Sequence, residues 1–150
     1  MAIQFLDSRV SEFSSISTGT TVLPTTPTLL LGDIGLQVAD VLATPNAADV
    51  RIELWGTIGV AGDVGNTVTI TVERGGIGVS GTGVLIYTAV VDLFTGNNLL
   101  SFHAADFHPA VPGSGEIRYS MYAADTTGEG PDITITGPVA FSGVAQAGAF

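Results

Sequence analysis

Alternation of apolar and polar residues at every second position is the feature that most constrains this fold. In the stretch NTVTITVER, Val68, Ile70 and Val72 alternate with threonines and Glu73. In DVRIELWGTIGV the apolar series continues at alternate positions, and Trp55 falls on the opposite side. Successive side chains of a β-strand point to opposite faces of the sheet. These stretches therefore predict strands with one buried face and one solvent-facing face.

Turn signals separate these stretches at intervals of about ten residues, as in sandwiches and barrels. They include AGDVGN, RGGIGVSGTG, FTGNN and HPAVPGSG, which are rich in residues that suit turn dihedrals. The segment GVLIYTAVVDLF is apolar on both faces, which indicates a central strand or an interface strand. No window of a dozen residues shows convincing helical periodicity. The sequence predicts an all-β, jelly-roll-like antiparallel β-sandwich of about eight to ten strands with an N-terminal extension strand.

Charge and cysteine content exclude several classes of protein. The chain has a net charge of −10, no lysine, four arginines and no cysteine. Nucleic acids are bound through clustered lysine and arginine, so we expect no nucleic-acid partner. The uninterrupted apolar runs are much shorter than the roughly 18 residues of a membrane span, so we expect no span either. Disulfides and thiolate metal sites are excluded.

The opening segment is too apolar for a free tail. Its apolar residues are Ile3, Phe5, Leu6, Val10, Phe13 and Ile16. It is not a secretory signal, because polar residues interrupt the apolar run and the first basic residue is Arg9. Pro24 and Pro27 separate it from the next apolar stretch of the chain. We predict an N-terminal arm over 1–17, a Pro/Thr-rich spacer over 18–28 and a β-sandwich core over 29–150.

The arm needs a partner that it does not itself supply. An extended segment satisfies its main chain and its apolar side chains by adding a strand to an exposed sheet edge. We predict that the arm is a donor strand for a neighbouring copy, with its six apolar residues at the subunit interface and the prolines discouraging it from folding back. Such a head-to-tail contact propagates into a filament unless it closes into a ring. Pairing within its own subunit is the alternative, because N-terminal strands commonly complete their own sheet.

Three motifs have ordinary explanations. GIGVSG matches a dinucleotide fingerprint through Gly76, Gly78 and Gly81, but a strand pattern comes after it where a helix is required, so a loop between strands is favoured. HAADFH holds both histidines of the chain, and on a strand Asp106 and His108 share a face opposite to His103. DTTGEGPD is acidic but lacks the spacing of a known calcium loop, and it is interpreted as a turn. We predict no cofactor, no metal site and no enzymatic activity, since no acid, base or nucleophile grouping is identifiable.

Three stretches resemble a known group of proteins: FLDSRVSEF, TLLLGDIGLQV and DITITGPVAFSGVA. They are similar to the small self-assembling β-proteins of the spore surface of Bacillus-type bacteria, which include exosporium proteins and endospore-appendage (pilus) subunits. The resemblance implies a fold similar to the tumour-necrosis-factor-like jelly roll and a structural subunit of an extracellular spore-surface fibre. Its partners would be further copies of itself and spore-coat or exosporium proteins. Appendage subunits of the best-known kind carry N-terminal cysteines, which this chain lacks, so any fibre here would be held without covalent links.

Two other functions remain open. The first is a closed trimer of jelly rolls that acts as a coat, tip or adhesion module, with strand 84–94 at the three-fold interface. The second, less favoured, is a carbohydrate-active β-sandwich enzyme. A discrete trimer would indicate the first, and turnover of a glycan would indicate the second.

Overall fold

Within residues 3–128 and 130–148, which the computed structural model describes, the chain forms nine β-strands and two short 3-10 helices. The strands are β1 (Gln4–Ser14), β2 (Thr21–Val22), β3 (Leu29–Gln37), β4 (Arg51–Gly62), β5 (Thr67–Arg74), β6 (Val84–Asp92), β7 (Gly96–Phe107), β8 (Glu116–Asp125) and β9 (Thr134–Ala147). The 3-10 helices, Ala39–Val41 and Pro45–Asp49, lie in the connection between β3 and β4. The number of strands falls within the predicted range.

The strands form two antiparallel sheets that pack face to face. The first sheet has the order β1-β9-β4-β7, and the two-residue β2 pairs with β9 as well. The second sheet has the order β3-β8-β5-β6. Apart from β2, this is the arrangement of eight strands in two sheets that defines a jelly roll. The predicted fold class is confirmed.

The core lies between the two sheets and is built from the alternate positions seen in the sequence. Val68, Ile70 and Val72 of β5 are buried, and so are Leu54 of β4 and Phe141 of β9. The inner faces of the two sheets supply these side chains, as expected for a sandwich with one apolar side on each sheet. The threonines that alternate with them in β5 are half-buried on the other side.

Strand β9 continues through Gly137 and Pro138, two residue types that weaken or interrupt most strands. The strand pairs with β2 as far as Ile135 and with β1 from Val139 onwards. Pro138 therefore lies in the gap between the part of β9 that pairs with β2 and the part that pairs with β1. Its missing N–H removes no hydrogen bond to either strand. A shift in register between Ile58 and Val60 of the neighbouring strand accommodates this stretch.

Strand β1 lies at the edge of its own sheet, which differs from the expected donor strand in a neighbouring copy. It pairs antiparallel with β9 from Gln4 to Ser14. Two of its side chains also reach the edge of the second sheet: Asp7 Oδ2 accepts from the Gln37 N–H at 2.8 Å, and Ser11 Oγ accepts from the Asp33 N–H at 3.2 Å. The physical reason is proximity. The main chain at the β9 edge needs a partner, and the chain's own N-terminal strand reaches it.

The predicted spacer is also attached to the sandwich. The Gly19 N–H donates to the Thr136 carbonyl at 2.9 Å, and the Leu23 N–H donates to the Ile133 carbonyl at 2.8 Å. The Leu23 side chain belongs to the buried core. The prolines do not keep the segment apart from the sandwich, because the Pro24 carbonyl accepts a hydrogen bond from the Asp125 N–H of β8. The segment 18–28 thus runs along the sandwich, and β3 begins at residue 29 as the predicted core does.

A polar network connects the two sheets at one end of the sandwich. Arg74 Nη1 donates to Asp106 Oδ2 at 2.6 Å, and the Tyr119 hydroxyl donates to the same oxygen at 2.8 Å. Asp106 belongs to the first sheet, and the other two residues belong to the second. Burial raises the pKa of Tyr119 far above its ordinary value, and the negative charge of Asp106 adds to the effect. The hydroxyl therefore remains a hydrogen-bond donor over the working range of pH.

Candidate self-association surface

The outer face of the first sheet is a continuous surface whose composition is set by the strand registers. Because directly paired residues point the same way, each set of paired positions forms a row across the four strands. We define the first-sheet face as four such rows. The rows are Phe5–Gln146–Arg51–Phe107, Ser8–Val144–Glu53–Ala105, Val10–Ser142–Trp55–His103 and Glu12–Ala140–Thr57–Ser101.

The row through Trp55 carries the best-defined aromatic contact of the face. The rings of Trp55 and His103 stack with centroids 5.0 Å apart and planes 14° apart. At the other end of the row, Val10 is 73% exposed, although it sits in a regular strand. The stacked pair is already ordered, so covering it would cost little side-chain freedom.

The end row places two phenylalanines at opposite margins of the sheet. Phe5 is 62% exposed and Phe107 is 60% exposed. Leu99 extends the apolar surface along β7, because it lies opposite Gly59 on the same side as Trp55. Aromatic residues on a well-ordered surface are typical of the central parts of protein interfaces.

Few charges interrupt this surface. The three charged residues in the rows are Glu12, Arg51 and Glu53, and Glu53 Oε1 lies 3.7 Å from Nε2 of His103. Four strands about 4.8 Å apart and roughly seven residues of about 3.4 Å along each strand give a face of about 450 Å². Apolar and polar side chains share this area, since seven of the sixteen residues in the rows are apolar. The area is about half of the roughly 800 Å² that each partner buries in a standard interface.

Five of the six predicted interface residues lie on the protein surface. Ile3, Phe5, Val10, Phe13 and Ile16 are about half exposed or more, whereas Leu6 packs against the core. The structure brings Phe5 and Val10 onto the first-sheet face. Phe13 lies beside β3 instead, in a shallow depression that Leu30 and Gly32 also line.

The sequence analysis missed the part of the face that β4, β7 and β9 contribute. The alternation in DVRIELWGTIGV puts Trp55 on the outer side of its strand, but it does not show which residues of other strands lie beside it. Phe107 and Val144 gave no signal, because only the pairing of distant strands places them beside Phe5 and Val10. An exposed tryptophan in an alternating strand was the one indication that sequence alone offered.

The Gly-rich loop between β5 and β6 is organised by a buried carboxylate. Glu73 is 4% exposed, and its two oxygens accept from the N–H groups of Gly81 and Gly83 at 2.8 Å each. The Ser80 hydroxyl donates to it at 3.3 Å. A dinucleotide phosphate needs free N–H groups of such a loop. Here a carboxylate of the chain itself occupies them, which agrees with a structural loop.

The histidine and acidic motifs are spread over different environments. His103 faces outward and Asp106 inward on β7, and His108 lies just after the strand with a positive φ of 53°. Asp125 accepts from the Thr127 N–H in an ordinary turn, and Glu129 of the same motif lies outside the described residues. In the described part of the chain, no three acidic or histidine side chains lie close enough together to hold a metal ion.

A pocket of about 560 Å³ lies beside the Gly-rich loop, and both Arg74 and Arg118 line it. These guanidinium groups are already engaged, since Arg74 pairs with Asp106 and Arg118 makes a bidentate contact with Asp33. Hydrogen bonding to Asp33 raises the pKa of Arg118, so the guanidinium stays charged. We assign no ligand to the pocket, because its charges are neutralised within the molecule.

Comparisons with known proteins give distant likenesses of fold. No protein-family model matches the chain, and no curated protein matches it. The VP2 subviral particle of infectious bursal disease virus is 14% identical over 94% of this chain and 32% of its own chain, with a TM-score of 0.45. Eiger TNF from S. frugiperda is 13% identical over 98% of this chain and 96% of its own, with a TM-score of 0.46.

The C-terminal domain of EclA, a sugar-binding protein, is 12% identical over 90% of this chain and 78% of its own, with a TM-score of 0.37. The chain spans about a third of the length of the VP2 chain that it matches. At these levels the likenesses concern the fold alone. Among the described residues, no helix has the length and apolar character needed to cross a bilayer.

Proposed function

We propose that the chain is a structural protein that self-assembles through the first-sheet face. The observation that carries this proposal is the set of exposed apolar and aromatic side chains on the outer face of three ordered strands, β1, β4 and β7. Val10, Trp55 and the two phenylalanines at the margins stand on a rigid sheet rather than on loops. A rigid apolar surface loses little freedom on binding, and this favours association.

The magnitudes describe a weak contact that forms only at high protein concentration. Burying a fully exposed apolar side chain contributes roughly 1.5 to 3 kcal/mol, and Phe5, Val10, Trp55 and Phe107 are 62%, 73%, 40% and 60% exposed, so covering them stabilises a contact by about 4 to 7 kcal/mol. Loss of translational and rotational freedom opposes it by about 4 to 15 kcal/mol. The net charge of −10 on every copy also opposes association. Salt should therefore strengthen the assembly, because it screens the repulsion between copies.

This mode of assembly accounts better for the exposed residues than a donor strand does. If β1 moved to a second copy, it would take the same place beside β9 that it holds in its own chain. Phe5 and Val10 would then be as exposed as they are now. Strand exchange alone buries nothing new, whereas contact across the first-sheet face covers both residues.

The experiment is a comparison of two valine variants by light scattering and analytical ultracentrifugation. Val10→Lys puts a charge at the β1 end of the row that contains Trp55, and Val64→Lys puts the same charge in the turn after β4, where valine is 75% exposed. We expect wild type and Val64→Lys to form assemblies whose mass rises with concentration and with salt. Val10→Lys should reduce the average mass several-fold while the protein stays folded by circular dichroism. Equal masses for the two variants would refute the role of the face.

A closed trimer that acts as a coat, tip or adhesion module is the second candidate. The observation that favours it is that β1 completes its own sheet, so that the chain is a self-contained unit that needs no neighbour to fold. A single discrete mass of three chains, unchanged over a hundredfold range of concentration, would support this candidate. A continuous distribution of larger masses would support an open assembly.

We place the assembly on the outside of the spore, with spore-coat or exosporium proteins as further partners. The support is the likeness of the sequence to spore-surface β-proteins. Immunogold labelling of sporulating cells tests this placement. Labelling confined to the cytosol of vegetative cells would contradict it.

A further inference from the structure

Strand β6 is an edge strand whose only charged residue is Asp92, at its C-terminal end. Residues 84–91 read VLIYTAVV, and β6 pairs with β5 alone. The segment combines β-branched and aromatic residues, which favour strands, and it contains no proline or lysine to discourage further pairing. The sequence pattern predicted a central or an interface strand here, and its edge position removes the first possibility.

The two flanks of the sandwich differ in how they are closed. On the flank formed by β1 and β3, Asp7 and Ser11 bond to main-chain N–H groups of β3. On the flank formed by β6 and β7, the contact is the stack of Tyr87 on Phe102, with ring centroids 4.8 Å apart. Within the described residues, no side chain or loop backbone bonds to the main chain of 84–91 on its outer edge. This edge is therefore ready to accept another strand.

Several apolar residues of β6 are largely exposed. Val90 is 68% exposed, and Val84 and Leu85 are more than half exposed. A register shift between Val72 and Glu73 of the neighbouring strand brings Leu85 onto the same outer side as Val90. The edge thus offers both hydrogen-bonding groups and an apolar margin to a partner.

A second copy of the chain is the partner that fits this edge. Each copy carries a net charge of −10, so two copies can approach closely only where neither presents charge. Residues 84–91 of β6 are such a place. The segment also pairs with itself: a two-fold axis at Thr88 places Thr88 opposite Thr88 and Ala89 opposite Tyr87 of the partner subunit. Val90 then faces Ile86 of the partner subunit, the residue that the register shift leaves without a partner on β5, so apolar residues meet on both sides of the axis.

We infer that β6 pairs antiparallel with β6 of a second copy and joins the two second sheets into one continuous sheet. This rests on the proposed function, because it supplies the second interface that turns pairwise contact through the first-sheet face into an open assembly. One two-fold contact alone closes at a dimer, whereas two independent contacts on each copy propagate.

Cross-linking tests the inference directly, since the chain has no cysteine of its own. In the Val10→Lys background, where the face is blocked, Thr88→Cys is treated with a short bismaleimide. Val64→Cys serves as the matched control, because Val64 is exposed in the turn beside the C-terminal end of β6 and so lies away from the two-fold axis at Thr88. We expect several-fold more covalent dimer from Thr88→Cys. A yield no greater than that of the control would overturn the inference.

Mass measurements separate the two interfaces. Val90→Lys should stop assembly at the closed species that the first-sheet face forms, and Val10→Lys should stop it at dimers held by β6. The double variant should be a folded monomer. If Val10→Lys assembles like wild type while Thr88→Cys still cross-links, the proposed function fails and the β6 contact stands. If Val90→Lys assembles like wild type, the β6 contact fails.

Discussion

Replacing Asp7 with alanine should loosen the edge strand β1 without touching the hydrophobic core. Asp7 Oδ2 accepts from the Gln37 N–H at 2.8 Å, and this bond joins β1 of the first sheet to β3 of the second. Its side chain is only 17% exposed, so water replaces the lost acceptor poorly. The exposed Arg9, whose guanidinium also contacts Asp7, contributes little by comparison.

The expected cost depends on the type of bond. A hydrogen bond to a charged group contributes about 1.5 to 3 kcal/mol, and removing the acceptor leaves a half-buried N–H unsatisfied. We expect the Asp7→Ala variant to lose about 2 kcal/mol of unfolding free energy. With a slope of about 2 kcal/mol/M, the urea midpoint should fall by roughly 1 M. Glu12→Ala is the matched control, because Glu12 is an exposed carboxylate on the same strand. Its urea midpoint should fall by much less.

The loss of unfolding free energy in the Asp7→Ala variant should be smaller at low pH than at neutral pH. Burial alone would raise the pKa of Asp7, but hydrogen bonds from the Arg9 side chain and from the Gln37 and Ser8 N–H groups outweigh it and leave the pKa below 3.8. A carboxyl group whose pKa is depressed by folding stabilises the protein fully above its unfolded value, and the effect disappears as the pH falls through the folded value. The difference in unfolding free energy between wild type and Asp7→Ala should therefore be constant from about pH 5 to 8 and should shrink below about pH 4.

Urea unfolding at pH 7 and at pH 3 measures both effects, and hydrogen exchange shows whether β1 opens locally before the rest. The reasoning is refuted if Asp7→Ala and Glu12→Ala have the same midpoint at pH 7. It is equally refuted if the gap to wild type is the same at both pH values.

Two further variants test the packing and the loop. Gly56→Ala should lose about 1 to 3 kcal/mol of stability in thermal unfolding, because an added Cβ would lie 2.2 Å from a ring carbon of Phe102. Gly113→Ala, which meets no atom within 4 Å, should be neutral, and equal losses for the two would contradict the packing argument. Glu73→Ala should free the N–H of Gly83 and its neighbours, so exchange in the loop should accelerate at least tenfold at an unchanged global fold. Unaltered loop exchange would show that the carboxylate does not hold the loop.

The strands and the core were predictable because their signal is local. Alternation in NTVTITVER assigns Val68, Ile70 and Val72 to one side of a strand, whatever the strand pairs with. Burial of that side is then a consequence of the hydrophobic effect, and the structure agrees at all three positions. The Gly-rich turns between the strands are also a local signal, and together with the strands they indicated the sandwich class.

The partner of the N-terminal strand was not predictable, because it depends on which main-chain edge lies nearest after folding. Phe5 and Val10 carry the same apolar signal whether they enter a neighbour or stand exposed on their own sheet. In the structure β1 pairs with β9 of the same chain, more than a hundred residues later, and no signal in the arm itself specifies that edge.

The candidate surface itself is a product of tertiary structure. Sequence alone determined that Trp55 faces away from the core and that residues 84–91 form an uncharged strand. It did not determine that Val10, Trp55 and Phe107 share one face, or that β6 lies at an edge. Those facts arise from the order of strands in the two sheets, because main-chain hydrogen bonds join residues that are distant in sequence and so bring their side chains together.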